Sequence, residues 1–175
     1  MKKLVYLLIV GIIFTLTGCG TTNVPTKVTS STPTTDQSSA PKNETFKVGD
    51  TFKLGDLQYK VNGIRTSGGK NEYMKPKDGN VFLLIDMTIV NNGSQDASIS
   101  SMLSFKLTDK DGRSQDISIE ALSEANGKLD GSIPPGKKMT GELGYEVPKA
   151  SKSFELEIKN DLFSNGTATV EIPVN

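Results

Sequence analysis

The stretch VFLLIDMTIV, residues 81–90, does more than any other to limit the fold of this chain. Read with a period of two, it puts Val81, Leu83, Ile85, Met87 and Ile89 on one face. Phe82, Leu84, Asp86, Thr88 and Val90 take the other. That period belongs to a strand and not to a helix. Apolar residues on both faces predict a strand in the middle of its sheet, covered on two sides. Asp86, on the less apolar face, reads as a partly buried, hydrogen-bonded structural group. The run ends at Asn92-Gly93, a turn signal.

The same alternation recurs along the chain. Leu57, Tyr59 and Val61 share a face; Gly63 interrupts the pattern and Ile64 resumes it, as a bulge would. Phe105 and Leu107 alternate with Lys106 and Thr108, and the run closes at DKDG, where Gly112 suits a left-handed hairpin position. Met139, Gly141, Leu143, Tyr145 and Val147 form one face of a further strand; Phe154, Leu156 and Ile158 form another; Ala168, Val170, Ile172 and Val174 the last. Pro173 predicts an edge position, because proline cannot donate to a ladder. Residues 117–127 do not alternate and end at Asn126-Gly127, which predicts a short helical turn. About seven to eight strands separated by turns predict an all-β, immunoglobulin-like β-sandwich.

The sandwich does not account for the whole chain. Hydrophobic residues make up 35% of the 175, low for a uniformly globular sequence. Lys2 and Lys3 precede an apolar run from Leu4 to Leu16, too short for a membrane span of about 20 residues and suited to the core of a secretory signal. Leu16-Thr17-Gly18-Cys19 follows and resembles the lipobox of bacterial lipoproteins. The resemblance implies a diacylglycerol anchor on the Cys19 thiol and cleavage just before it. The expected organisation is a signal peptide over 1–18, a lipidated Cys19 with a disordered Ser/Thr/Pro-rich tether over 19–45, and the sandwich over 46–175. As a random coil such a tether reaches about 25–30 Å.

FKVGDTFKLGDLQYKVNGI, VFLLIDMTIVNNGSQDASIS, FKLTDKDG and IPPGKKMTGELGYEVPK occur in that order. Together they resemble the telokin-like domain of unknown function found in lipoproteins of Gram-positive bacteria. The most specific part is Pro135-Gly136 followed by Gly141, Leu143, Tyr145, Val147 and Pro148. The resemblance implies an immunoglobulin-like sandwich related to a secreted mycobacterial antigen, displayed at the cell surface. It implies no catalytic or ligand residues.

Composition narrows the function classes. Twenty basic residues balance 20 acidic ones, so the chain lacks the basic field that draws nucleic acid. One cysteine forms no internal disulfide, and with no histidine the chain lacks both a zinc cluster and the commonest general base. Asn43, Asn92 and Asn165 begin glycosylation-like triplets that read as turn chemistry or chance. Asp109 and Asp111, with Asp116 beyond, form a weak calcium candidate against the plainer reading of a turn. Residues 67–79 form a polar loop carrying Tyr73 and Met74, either a contact loop or one whose tyrosine packs back on the sheet. The expected function is noncatalytic: a lipid-anchored module on the outer face of the bacterial membrane, binding an envelope protein or a cell-wall polymer. It carries no cofactor beyond the covalent anchor. The alternative is a small-ligand or wall-glycan receptor, and behind it an envelope hydrolase.

Overall fold

In chain order the elements are β1 (Thr26–Lys27), β2 (Thr45–Lys47), β3 (Thr51–Leu54), β4 (Leu57–Ser67), β5 (Asn80–Asn91), β6 (Ala97–Ile99), β7 (Phe105–Asp109), β8 (Ser114–Gln115), the single-turn helix α1 (Ile119–Leu122), β9 (Gly131–Ile133), β10 (Lys138–Pro148), β11 (Ser153–Lys159) and β12 (Thr167–Pro173). They come from a computed structural model that describes residues 25–27, 45–159 and 166–174. Two five-stranded sheets face each other, ordered β1-β3-β4-β5-β10 and β2-β12-β11-β7-β8, and β6 and β9 form a separate ribbon. The pairs are antiparallel except β2 with β12. The fold is the expected all-β sandwich. Its strand number exceeds expectation because β1, β2, β6, β8 and β9 have only two or three residues, too few for a period of two to register.

The alternation predicts the packing. Leu83, Ile85, Met87 and Ile89 of β5 join Leu57, Tyr59 and Val61 of β4 and Leu143, Tyr145 and Val147 of β10 in one core. From the other sheet come Leu107, Phe154, Leu156, Ile158, Val170 and Ile172. β5 lies between β4 and β10 as predicted. The register slips between Val61 and Gly63, which is the expected bulge, and Ile64 returns to the core side opposite Ile85. One flank of the sandwich is closed by aromatic rings. Phe46 of β2 stacks on Phe52 of β3 at 4.2 Å, and Phe52 on Tyr59 of β4 at 5.7 Å.

Two expectations need correction. The tether reading of 19–45 does not hold throughout: Thr26 and Lys27 pair with Lys53 and Phe52, and Lys27 Nζ lies 2.8 Å from Asp50. An open strand edge offers unpaired backbone groups, and β1 satisfies some of those on β3. β12 is not an edge strand, since β2 pairs with its residues 169–171; that cover ends short of Pro173, where a missing N–H costs nothing on the open side. The short helical turn expected within 117–127 forms as the four residues of α1, and ahead of it Ile117 bridges Tyr145.

Phe82 and Leu84, on the outer face of β5, are fully buried and need a cover of their own. Ala121 of α1 supplies it, within a strap (residues 118–130) that lies across β10. Ser118 caps the helix by accepting from the Ala121 N–H at 3.1 Å. So close a crossing requires glycine on the strand beneath. A Cβ at Gly144 would sit 2.9 Å from the Leu122 nitrogen, and one at Gly141 2.7 Å from the Lys128 carbonyl carbon. Gly63 has nothing within 4 Å. Gly144→Ala is therefore expected to lower stability by about 1–3 kcal/mol through overpacking. Gly63→Ala should stay within about 0.5 kcal/mol of the parent. Urea denaturation of both variants measures the contrast.

Candidate interaction surface

Opposite the aromatic stack, edge strand β10 of one sheet faces edge strand β8 of the other. Residues 114–118 run along this flank between the sheets, and two grooves meet beside them. The first, about 530 Å³, is lined by Met102, Leu103, Phe105, Ile117 and Tyr145, with charged side chains at its rim. The second, about 380 Å³, is lined by Lys77, Ser118, Ile119, Glu120 and Glu146. Met102 is 75% exposed, Leu103 59% and Ile119 79%, so three large apolar side chains stand in water along one flank. A third groove, about 420 Å³, lies on the other side of Leu103. Its wall residue Asn91 is already engaged, donating to the Gln95 and Ile133 carbonyls at 2.7 Å.

The loop carrying Tyr73 adjoins this flank. Tyr73 is 94% exposed, so it does not pack back on the sheet, while Met74 is half-buried. Asn71 Oδ1 accepts from the N–H groups of Tyr73 and Met74 at 3.0 and 3.1 Å and holds the turn. Lys70 Nζ donates to the Ser123 carbonyl on the strap, and the Lys77 N–H donates to Glu146 on β10. The loop is thus pinned to the elements that line the grooves, a link that residue spacing along the chain does not reveal.

Asp109 and Asp111 lie at the β7–β8 hairpin. Asp109 Oδ1 accepts from the N–H groups of Asp111 and Arg113, both at 2.9 Å. The Arg113 guanidinium lies 3.3 Å from Asp111 and 3.8 Å from Asp109. Gly112 has a φ of 79°, the left-handed conformation expected of it. Among the described residues no three His, Cys, Asp or Glu side chains group as a metal site would require. Asp86 is half-buried and accepts from Asn62 Nδ2 at 3.1 Å. Leu16, Thr17, Gly18 and Cys19 lie outside the described residues.

The strap that shapes this flank is clasped from below. Arg65 on β4 holds Glu142 on β10 through two hydrogen bonds, at 2.9 and 2.8 Å, and also donates to the Glu124 carbonyl at 2.8 Å. Glu142 accepts in addition from the Asn126 N–H at 2.7 Å. Arg65 and this N–H hold the Glu142 carboxyl below the usual range, against the opposing effect of burial.

The sequence matches the family described as Domain of unknown function (DUF4352) over residues 46–169. Two proteins of Bacillus subtilis (strain 168) are similar to it. The uncharacterized lipoprotein YjhA is 28% identical over 129 residues, which are 68% of this chain and 60% of YjhA. The uncharacterized protein YxkC is 28% identical over 138 residues, 71% of this chain and 77% of YxkC. The crystal structure of YjhA superposes with a TM-score of 0.56 at 27% identity, covering 73% of this chain and 98% of that one. The secreted Mycobacterium tuberculosis protein MPT63 shares the fold, with a TM-score of 0.50 at 16% identity over 74% of this chain and 98% of its own.

The clasp has a pH signature. In the unfolded chain Glu142 titrates near its ordinary value of 4.5, and in the fold it titrates lower. Its contribution is therefore complete above that value and is lost as pH falls through the folded one. Arg65→Met leaves a buried carboxylate with one main-chain donor and is expected to cost about 1–3 kcal/mol at neutral pH. The difference from the parent should shrink below pH 4.5, as urea titrations at a series of pH values would measure.

Proposed function

Since the chain belongs to the family of Domain of unknown function (DUF4352), we propose that it is a lipid-anchored extracytoplasmic lipoprotein whose sandwich is a noncatalytic binding module. The lipobox Leu16-Thr17-Gly18-Cys19 and the name of its relative YjhA as a lipoprotein support the anchor. Cys19 carries a diacylglycerol group in this reading, and the domain stands on the outer face of the membrane. The observation that carries the binding role is the row of Met102, Leu103 and Ile119 along one flank. Large apolar side chains left in water beside grooves are the usual anchors of a contact surface. The partner is an envelope protein or a wall polymer. The exposed Tyr73 favours a second reading, in which the adjoining loop stacks on a wall glycan.

Cys19→Ala should move the protein from the membrane fraction to the medium, as blotting of the two fractions would show. A photocrosslinker placed at Met102 or Ile119 in intact cells should yield discrete adducts that one at Glu155, on the outer face of β11, does not. The same adduct pattern at all three positions would sink the assignment of this flank. For the glycan reading, Tyr73→Ala should abolish sedimentation with purified wall fragments.

A further inference from the structure

β1 is the outermost strand of its sheet and lies on the flank opposite the apolar row, with β3, β4 and β5 between it and β10. Thr26 faces Lys53 and Lys27 faces Phe52 in an antiparallel pair. Lys27 Nζ also meets Asp50 at 2.8 Å, in the turn ahead of β3. The Lys47 N–H donates to the same carboxyl at 3.0 Å. Lys27 and this N–H hold the carboxyl below its usual range, so it stays charged at neutral pH. Main chain and side chain together hold the segment ahead of the sandwich against its edge.

Thr26 follows Cys19 by only seven residues. An extended chain spans at most about 3.3–3.6 Å per residue, so by any path Thr26 lies within roughly 25 Å of the Cys19 main chain. Without β1, the first attachment to the sandwich would be Thr45, 26 residues beyond Cys19, and the limit would be roughly 90 Å. Paired strands stand about 4.8 Å apart, so four steps put β10 roughly 19 Å from β1. A leash of about 25 Å is nearly used up in crossing that width and rounding the edge of the sheet, and one of about 90 Å is not.

We propose that β1 is a clip that orients the anchored domain: with a lipid on Cys19, the β3 edge faces the bilayer, and the row of Met102, Leu103 and Ile119 faces away from it. The clip holds these exposed apolar side chains off the lipid, where they would otherwise bury, and offers them to a partner in the envelope. The inference rests on the lipid anchor at Cys19 and adds which face of the domain that anchor turns outward.

The test uses the full chain expressed in bacteria, taken from the membrane fraction into phosphatidylcholine nanodiscs that carry an acceptor fluorophore on the headgroups. Mass spectrometry reads the acyl group on Cys19. A fluorescent amino acid serves as donor at Lys60, exposed on β4 beside β3, or at Ile119 on the far flank. Energy transfer should be higher from position 60 than from 119. Thr26→Pro/Lys27→Pro removes both main-chain donors of β1 and should abolish the difference. A Gly/Ser insert of about 20 residues after Cys19, which lengthens the leash and keeps the clip, should abolish it too. Equal transfer from both positions in the acylated parent overturns the orientation. A difference that survives either change also overturns it, since a face held by its own affinity for lipid needs no clip. An unacylated Cys19 overturns the anchored-module reading itself and this inference with it, so the two failures are told apart.

Discussion

β5 is buried on both faces, and much of the architecture follows from that. Its inner residues belong to the sandwich core, but Phe82 and Leu84 point the other way and are just as fully buried. Each such side chain is worth roughly 1.5–3 kcal/mol only if something covers it. The cover is a strap built on a single helical turn, too short to be stable by itself. It holds because Gly141 and Gly144 let main chain lie against main chain, and because Arg65 and Glu142 clasp it from two strands beneath. An apolar outer face on one strand thus dictates small residues on its neighbour and a charged pair across both.

The strap also makes the two flanks unlike. Across the sandwich, Phe46, Phe52 and Tyr59 form a continuous stack. On the near flank the chain must leave β8 and climb to the outer face of the other sheet, so it cannot stay beside β7. The groove, the exposed Ile119 at the start of α1 and the unpaired Tyr145 hydroxyl all lie along that path. The shape of this flank is a by-product of covering Phe82 and Leu84, which couples it to the stability of the strap. The rigid sheets hold the position, and the connecting segment supplies the surface.

Where a strand is long and half-buried, its side chains are legible from order alone. Val81 to Val90, Leu57 to Val61 and Phe154 to Ile158 pack on the faces that a period of two assigns, and Gly63 marks the bulge where the pattern breaks. Short strands escape this reading: β1 and β8, at two residues each, are defined by the partner they meet and not by any pattern of their own. The clasp is equally hidden, since nothing in the spacing of Arg65 and Glu142 indicates that β4 and β10 flank the same strand. Gly144 looks like an ordinary polar-face residue until the Ala121 main chain is found above it. The loop at 67–79 was visible as a polar insertion with one aromatic, but its attachment to Ser123 and Glu146 was not.

Residue order alone carries the strand class, the central place of β5, the core faces, and a lipobox-like Leu16-Thr17-Gly18-Cys19 ahead of a polar segment. These follow from local rules, because side-chain alternation and signal features are properties of neighbouring residues. Long-range packing sets which flank carries the aromatic stack, that Thr26–Lys27 pairs with β3, and that Met102, Leu103 and Ile119 line one side. It also left the Tyr145 hydroxyl without a partner. Those outcomes depend on where the chain crosses between sheets, which is set by the area that must be covered on β5 and not by any short stretch of residues.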